Sequence, residues 1–450
     1  MGFQNIEQKS VGYRLLFCYV RFWYRTVFYR KVVIVHYDNV PENKSLMFTP
    51  NHQNALMDAL AMLFSVKNQL VFMARSDIFK KFAPILYFLK ILPIYRIRDG
   101  IDTLKKNQAV FDKTVDVLNA YNGLVILPEG NHAGIRQLRP LKKGFARIAF
   151  QTEETGKVTE GISVVPVGID YDDYTHCRSR KIIVFGKPIP VADFMDSYHE
   201  NPAIGLNLIK NHLAGKMKEL IINIETVEYY DLINELRVIF RKEMCLKTNR
   251  NPNDEADGFY ADRQFVDLYD TAIEKTPETV AVINDDFQKL SKILKRYKLL
   301  VGDLVTKPSV PLVIVETLLL LITFPIFVYG WINHLLPFQL PLYLTRRVKD
   351  EIFQTSFLFV LTMLFFPIFY LLQTVVVWML LANGWMAMGY LATLPLFAIL
   401  SWKWKNLFQH TVVDFRKIKL FNSGVGSRVN TLFNNIIQKT NNLIDLYLDS

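Results

Sequence analysis

Two short stretches hold the residues best suited to chemistry. One is Asn51-His52 with Asp58 six positions after the histidine; the other is Glu129-Gly130-Asn131-His132, which follows the apolar stretch 123–127. A histidine and a carboxylate at a loop-to-helix junction, with an acidic glycine turn after an apolar strand, are the parts needed to deprotonate a hydroxyl and hold an anionic substrate. On a regular helix His52 and Asp58 would lie about 120° apart, so they can touch only if His52 sits in the turn before the helix. Pro50 favours that arrangement, because the residue before a proline is driven to extended backbone. Phe48 and Thr49 should close a strand, Pro50-Asn51-His52 should form the loop, and the helix should begin near Asn54. Asp58 would then take one imidazole nitrogen and leave the other free to accept a proton. Taken alone, the pair reads more simply as a surface histidine beside a helix cap.

The elements that must position these groups follow in order. Residues 70–75 form an apolar strand that ends in Arg75 and a helix start, and residues 91–99 form a short strand that delivers Arg96 and Arg98. With Ile97 between them, the two arginines share one face, where two guanidinium groups can grip a phosphate. Residues 123–130 form a buried strand with its acidic turn, and residues 162–169 form another strand around Pro166. The first strand opens after Lys31 with Val32-Val33-Ile34-Val35, and strands alternate with helices to about Pro190. This alternation predicts an α/β domain.

These four blocks, in this order, resemble the glycerolipid acyltransferase family, the PlsC-like 1-acyl-glycerol-3-phosphate and glycerol-3-phosphate acyltransferases. In that family the first block, N-H-x4-D, holds the catalytic base, the second ends in an arginine, and the third reads F-P-E-G-T/S-R. The fourth is an apolar strand with a central proline. Here they are similar to Asn51-His52 with Asp58, residues 94–98, residues 127–132 and residues 164–167, and the resemblance covers about residues 30–220. It implies an α/β acyltransferase domain with a central mixed sheet. It also implies His52 and Asp58 as the catalytic pair, with Arg96, Arg98, Glu129, Gly130, Asn131 and His132 at the substrate.

Two departures stand out. The gap between His52 and Asp58 is one residue longer than the family's, so the extra residue must be absorbed in the loop or in a bulge of the first helical turn. The arginine of the third block is replaced by His132, with Asn131 in the Thr/Ser position. His132 can meet a phosphate only as a donor, which leaves Arg96, Arg98, Arg136 and Arg139 as the candidates to supply charge.

The implied chemistry is a single-step transfer. His52 takes the proton of a glycerol-backbone hydroxyl, Asp58 supports the imidazolium, and the oxygen attacks the thioester carbonyl of acyl-CoA or acyl carrier protein. No covalent acyl-enzyme is required: there is no G-x-S-x-G elbow, and Cys18, Cys177 and Cys245 stand outside the blocks. No cofactor or metal is expected, since the nearest polar cluster, residues 171–177, reads as a loop between strands.

Composition bounds the rest. The chain has 450 residues, 51% of them hydrophobic, with 33 Phe and 21 Tyr, more than a soluble protein needs. Its net charge of +11 comes without any nucleic-acid motif, and beside long apolar runs it fits anionic headgroups and phosphorylated substrates better. Three cysteines without a pattern argue against a disulfide framework and agree with a reducing compartment.

Residues 1–31 mix aromatics with Arg14, Arg21, Arg25 and Arg30, the composition of an interfacial amphipathic helix, with a core helix as the alternative. The acyltransferase domain is expected over 32–200, a helical arm over 201–308, transmembrane helices over 309–403 and an amphipathic cytoplasmic tail over 404–450. The apolar runs 311–344 and 355–402 each exceed the roughly 20 residues that span a bilayer, so each is read as a hairpin, giving four segments. The breaks are expected near 330–337 and at Ala382-Asn383-Gly384. Basic residues at 346, 347 and 349 and from 403 to 419 place those loops, and the catalytic domain, on the cytoplasmic face. The expected partners are the bilayer, a phosphorylated glycerol or lysolipid acceptor and the acyl donor, with no nucleic acid. Another lysolipid acceptor, or a non-catalytic lipid-binding protein of the same fold, is the alternative. An intact His52, Asp58 and Glu129 favours the enzyme.

Overall fold

Among the described residues, runs of β-branched and aromatic residues bounded by turns give eight strands: β1 (Lys31–Val35), β2 (Ser45–Pro50), β3 (Leu70–Arg75), β4 (Ile91–Ile94), β5 (Gly123–Val125), β6 (Ile162–Tyr171), β7 (Arg180–Phe185) and β8 (Ile189–Pro190). The computed structural model describes residues 5–95, 103–158 and 160–448. They join in one sheet of order β1-β7-β6-β2-β5-β3-β4, with β8 on β6. The block from β6 through β4 is parallel; β7 and β8 run antiparallel to β6, and β1 is parallel to β7. This is the expected mixed sheet. Every residue of β2 and β7 is buried, as strands covered on both faces must be.

Before, between and after the strands lie helices α1 (Val11–Phe22), α2 (Ala55–Ser65), α3 (Phe79–Phe88), α4 (Thr103–Asn119), α5 (Gly144–Glu154), α6 (Met195–Glu200) and α7 (Pro202–Lys218). Helices α4, α5 and α7 cover one sheet face, where Met47, Val71, Leu124 and Val164 meet Leu118, Phe150 and Ile209 in a single core. The amino-terminal segment divides in two. Val11, Leu15 and Phe22 of α1 are exposed, whereas Tyr24, Phe28 and Tyr29, in and after a π-helical turn, are buried and belong to the core.

The chain forms two compact units, Met1–Asn223 with Val348–Phe359, and Ile224–Arg347 with Val360–Ser450. The second unit is helical: α8 (Tyr230–Lys247), α9 (Glu255–Lys275), α10 (Pro277–Tyr297), α11 (Val310–Thr345), α12 (Glu351–Leu381, whose first residues belong to the first unit), α13 (Gly384–Phe421) and α14 (Gly426–Tyr447). Buried Asp262 of α9 accepts hydrogen bonds from Arg237 and Arg241 of α8, so both guanidinium groups share one carboxylate.

Among the described residues three helices, α11, α12 and α13, are long and apolar enough to cross a membrane. This corrects the reading of four segments, because 310–345 is one unbroken helix and the turn expected near 330–337 is absent. Gly330 serves packing instead: a Cβ there would lie 2.6 Å from the carbonyl oxygen of Phe397 on α13, so it permits a close helix crossing. Pro325, Pro337 and Pro341 are carried inside the helix, as apolar surroundings allow when neighbouring groups re-satisfy the backbone. The second run does break at Ala382-Asn383: Ala382 has φ +50°, and the Asn383 side chain caps α13 by accepting from the Met386 N–H. Helix α13 continues past residue 403 to Phe421. Glu316 and His334 of the first run both have partners, Glu316 in Thr411 (2.8 Å) and His410, and His334 in the Tyr370 hydroxyl (2.7 Å). Glu316, His410 and Asp414 bring ligand-type atoms within 4.8 Å, but Asp414 is already held by Lys417 at 2.6 Å.

Candidate active site

The site forms where β2 and β5 deliver the chain beyond their carboxyl ends, the usual place for ligands in open α/β sheets. Asn51 prepares the exit from β2. Its N–H donates to Val167 O (3.2 Å), and its side-chain amide then takes the place of a further strand residue, accepting from Ile169 N–H (2.6 Å) and donating to Ile169 O (3.1 Å). The ladder to β6 is thereby satisfied while the main chain turns away at His52.

Asp58, on the first turn of α2 and 0% exposed, collects that loop. One oxygen accepts from His52 Nδ1 (2.9 Å), Gln53 N–H (2.8 Å) and Asn54 N–H (2.7 Å); the other accepts from the Tyr171 hydroxyl (2.5 Å). Four donors on one carboxylate suit an anion. The extra residue between His52 and Asp58 is absorbed at the very start of α2, where its first residue, Ala55, takes the left-handed conformation (φ +41°) and Met57 N–H closes a turn on Asn54 O (2.8 Å). A non-glycine residue at positive φ is strained, and here the grip of Asp58 on the loop holds it.

Glu129 approaches from the other side. Gly130 closes a turn on Leu127 O (3.2 Å) at φ +75°, a conformation glycine adopts freely. This directs the preceding glutamate inward, to 1% exposure, and leaves Gly130 and Asn131 at the surface. Glu129 Oε1 accepts from His52 N–H (2.7 Å) and Oε2 from Arg139 N–H (3.1 Å). Burial pushes its carboxyl up to about 7, against the opposing effect of these two hydrogen bonds and of His52. Expected as a substrate contact, Glu129 has both oxygens committed to backbone donors.

His52, with a side chain 13% exposed, is therefore held at the ring by Asp58 and at the main chain by Glu129. Nδ1 is taken, which leaves Nε2 as the nitrogen that can receive a proton. His132 stands beside it, ring edge to face at 5.4 Å and 76°. Its own Nε2 lies 2.8 Å from Asp350, and its ring stacks on Phe353 at 6.2 Å and 15°. Nothing in the local sequence announces these partners, of which Asp350 stands 218 residues away from His132. Residues 348–359 pack on both site loops: Ser356 Oγ accepts from Leu56 N–H (3.2 Å), and Ile352 lies against Gly134. The Asp350 carboxyl sits below its ordinary value, because hydrogen bonds from Phe353 N–H, His132 and Ile352 N–H outweigh the desolvation that raises it.

Arg96 and Arg98 lie outside the described residues. Arg136, one candidate for the phosphate charge, is corrected to a structural role. It is buried, ion-paired with Asp170 (3.4 Å) and bonded to the carbonyl oxygens of Tyr171 and Asp172 (3.2 Å to the latter), where it ties the end of β6. Arg139 is half-buried and donates to His132 O (3.2 Å). Sequence reading missed Tyr171 and, behind it, Lys181. The one available signal was a lysine leading straight into an apolar run, Lys181-Ile182-Ile183-Val184-Phe185.

A family model described as Acyltransferase matches residues 31–170. Glycerol-3-phosphate O-acyltransferase 1 of Saccharomyces cerevisiae is 26% identical over 143 residues, which cover 32% of this chain and 19% of the yeast protein. The chain thus aligns with about a fifth of that relative's length. The solved structure of the 1-acyl-sn-glycerophosphate (LPA) acyltransferase PlsC from Thermotoga maritima superposes with a TM-score of 0.34 at 16% identity, over 46% of this chain and 80% of that one.

Proposed function

We propose, from an acyltransferase-family domain at residues 31–170 and the geometry around His52, that this chain is a membrane-bound glycerolipid O-acyltransferase. It transfers a fatty acyl group from acyl-CoA or acyl carrier protein to a hydroxyl of lysophosphatidate or glycerol 3-phosphate. The observation that carries this reading is the double hold on His52, by Asp58 at Nδ1 and by Glu129 at the backbone, which aims Nε2 as a base. In the step, Nε2 accepts the hydroxyl proton as the oxygen bonds to the thioester carbon; the C–S bond breaks, and the leaving thiolate recovers the proton from the imidazolium. Backbone N–H groups near the Gly130 turn or the start of α2 would stabilise the oxyanion. Helices α11 to α13 would hold the enzyme in the bilayer, with the catalytic domain on the cytoplasmic face because residues 348–359, beside the basic Arg346, Arg347 and Lys349, belong to it.

One observation favours a second acceptor class. The Asp350 carboxylate beside His132 places negative charge near the expected acceptor phosphate, which suits a lysolipid with a less anionic headgroup. The test is purified full-length protein given labelled acyl-CoA or acyl carrier protein and a panel of glycerol 3-phosphate, lysophosphatidate and zwitterionic lysolipids. Acylation of a phosphomonoester acceptor, lost in His52→Ala, supports the first reading. Acylation of zwitterionic lysolipids only would replace it with the second, and lipid binding without transfer would leave a non-catalytic lipid-binding protein.

A further inference from the structure

Behind Asp58 lies a side chain that the transfer step does not use. Lys181 on β7 is 0% exposed, and its Nζ lies 4.0 Å from the ring centroid of Tyr29, 4.4 Å from that of Tyr171 and 4.7 Å from that of Tyr24. It donates to Tyr24 Oη (2.7 Å) and to the carbonyl oxygen of Met57 (3.1 Å), the residue before Asp58. All three tyrosines are buried. Tyr171 joins the two charges: its ring faces Lys181 while its hydroxyl reaches Asp58 at 2.5 Å.

Two oxygen acceptors and three aromatic faces are the surroundings an ammonium needs, whereas a neutral amine with both hydrogens on those oxygens would aim its lone pair at a ring face. Burial pulls the Lys181 ammonium well below its ordinary value, and the Asp58 charge opposes that pull. A buried charge persists when an opposite charge and hydrogen bonds compensate it, and Asp58 with Tyr171 supplies both.

We propose that Lys181 is a positioning residue for the His52–Asp58 pair: its buried ammonium, boxed by Tyr24, Tyr29 and Tyr171, offsets the Asp58 charge and so keeps the pair in its proton-accepting form near neutral pH. That form has neutral His52 and ionised Asp58, a net charge of −1. Without a cation behind it the pair holds one more proton to higher pH, whichever residue carries that proton. The titratable groups facing Lys181 are Tyr24, Tyr29, Tyr171 and Asp58, with Arg25 beside Tyr24 and Cys177 near Tyr29; those facing His52 are Asp58, Glu129 and His132. Burial drives the three tyrosines well above their ordinary value, out of the neutral range, and Glu129 is common to wild type and variant.

The kinetic arm of the test rests on the acyl-transfer reading; a chemical arm does not. Diethyl pyrocarbonate modifies neutral imidazole, so the pH midpoint of His52 carbethoxylation, followed by peptide mass spectrometry, reports the pair without turnover. In full-length Lys181→Met the midpoint should rise by about one pH unit. The acid limb of kcat/KM should move with it, kcat at pH 7 should fall about tenfold, and KM for both substrates should hold within about twofold. Tyr171→Phe, which keeps the ring and removes the hydroxyl, should shift the midpoint the same way by less, and it carries the test if Lys181→Met does not fold. An unchanged midpoint in a folded variant overturns the inference. If wild type transfers no acyl group, the functional reading fails and the carbethoxylation result still decides this one. If wild type is active, His52→Ala is dead and Lys181→Met matches wild type in midpoint and rate, the inference alone fails.

Discussion

Glu129 holds His52 by its main chain, Oε1 to the His52 N–H at 2.7 Å, so the acidic turn after β5 fixes the position of the base that follows β2. The second oxygen performs the same service for Arg139 (3.1 Å). Neither hydrogen bond requires a substrate.

Glu129→Gln should therefore damage the site from within. An amide offers one acceptor oxygen to two buried N–H donors, and an unmet buried donor costs about 1–3 kcal/mol. We expect a lower Tm and a kcat reduced at least about tenfold, with KM little changed. The pH dependence has a definite sign. Because the folded Glu129 carboxyl is raised to about 7 from its ordinary 4.5, its contribution to stability is fully present below about 4.5 and is lost as pH rises through about 7. Wild-type Tm should fall more steeply across that window than the Tm of Glu129→Gln. Parallel curves would show that Glu129 does not titrate there.

Asp58→Asn should approach the loss in His52→Ala, which we place at about a hundredfold or more for removal of a general base. It should also lower Tm more. His52→Ala removes one hydrogen-bond partner, whereas an asparagine at 58 must accept from three donors on one side and meet Tyr171 on the other. Thermal melts of both variants beside initial rates would check this; an Asp58→Asn protein as stable and active as wild type would remove Asp58 from the mechanism.

Arg98→Ala should raise KM for a phosphorylated acceptor strongly and KM for the acyl donor little, and Arg98→Lys should recover only part of the loss. The grounds are the alternation of Arg96 and Arg98 about Ile97 and the burial of Arg136, which removes a competing cation. Equal effects on both substrates would move the acceptor site toward Arg139 and Lys142.

Helices α12 and α13, joined at Ala382-Asn383, should cross the membrane as a hairpin. Cysteines replacing Arg347 and Lys405 should then be labelled by an impermeant maleimide from one face, and a cysteine replacing Asn383 from the other. Labelling of all three from a single face would mean that the pair does not span.

How much of this was legible in the sequence varies with the range of the interaction. Pro50, the six-residue spacing of His52 and Asp58, and the Glu129-Gly130 turn are local signals governed by backbone sterics, and with the strand and helix periodicities they determined the α/β class, the mixed sheet implied by the resemblance and which residues to pair. The apolar runs likewise determined that long membrane-type helices exist, because hydrophobic length is a property of the chain itself. The number of such helices was not so determined. Gly330 reads as a breaker in isolation and becomes a contact point only when α13 lies against it. Tertiary structure alone decided that Glu129 faces the backbone of His52, that Arg136 is consumed by β6, and that Asp350 and Phe353 meet His132. It also decided that Lys181 sits in a cage of tyrosines behind Asp58. Each of these joins residues far apart in the chain whose side chains find partners only once the sheet order and loop packing exist. Periodicity and spacing report which face a residue takes, while the identity of its neighbour across that face is set by topology.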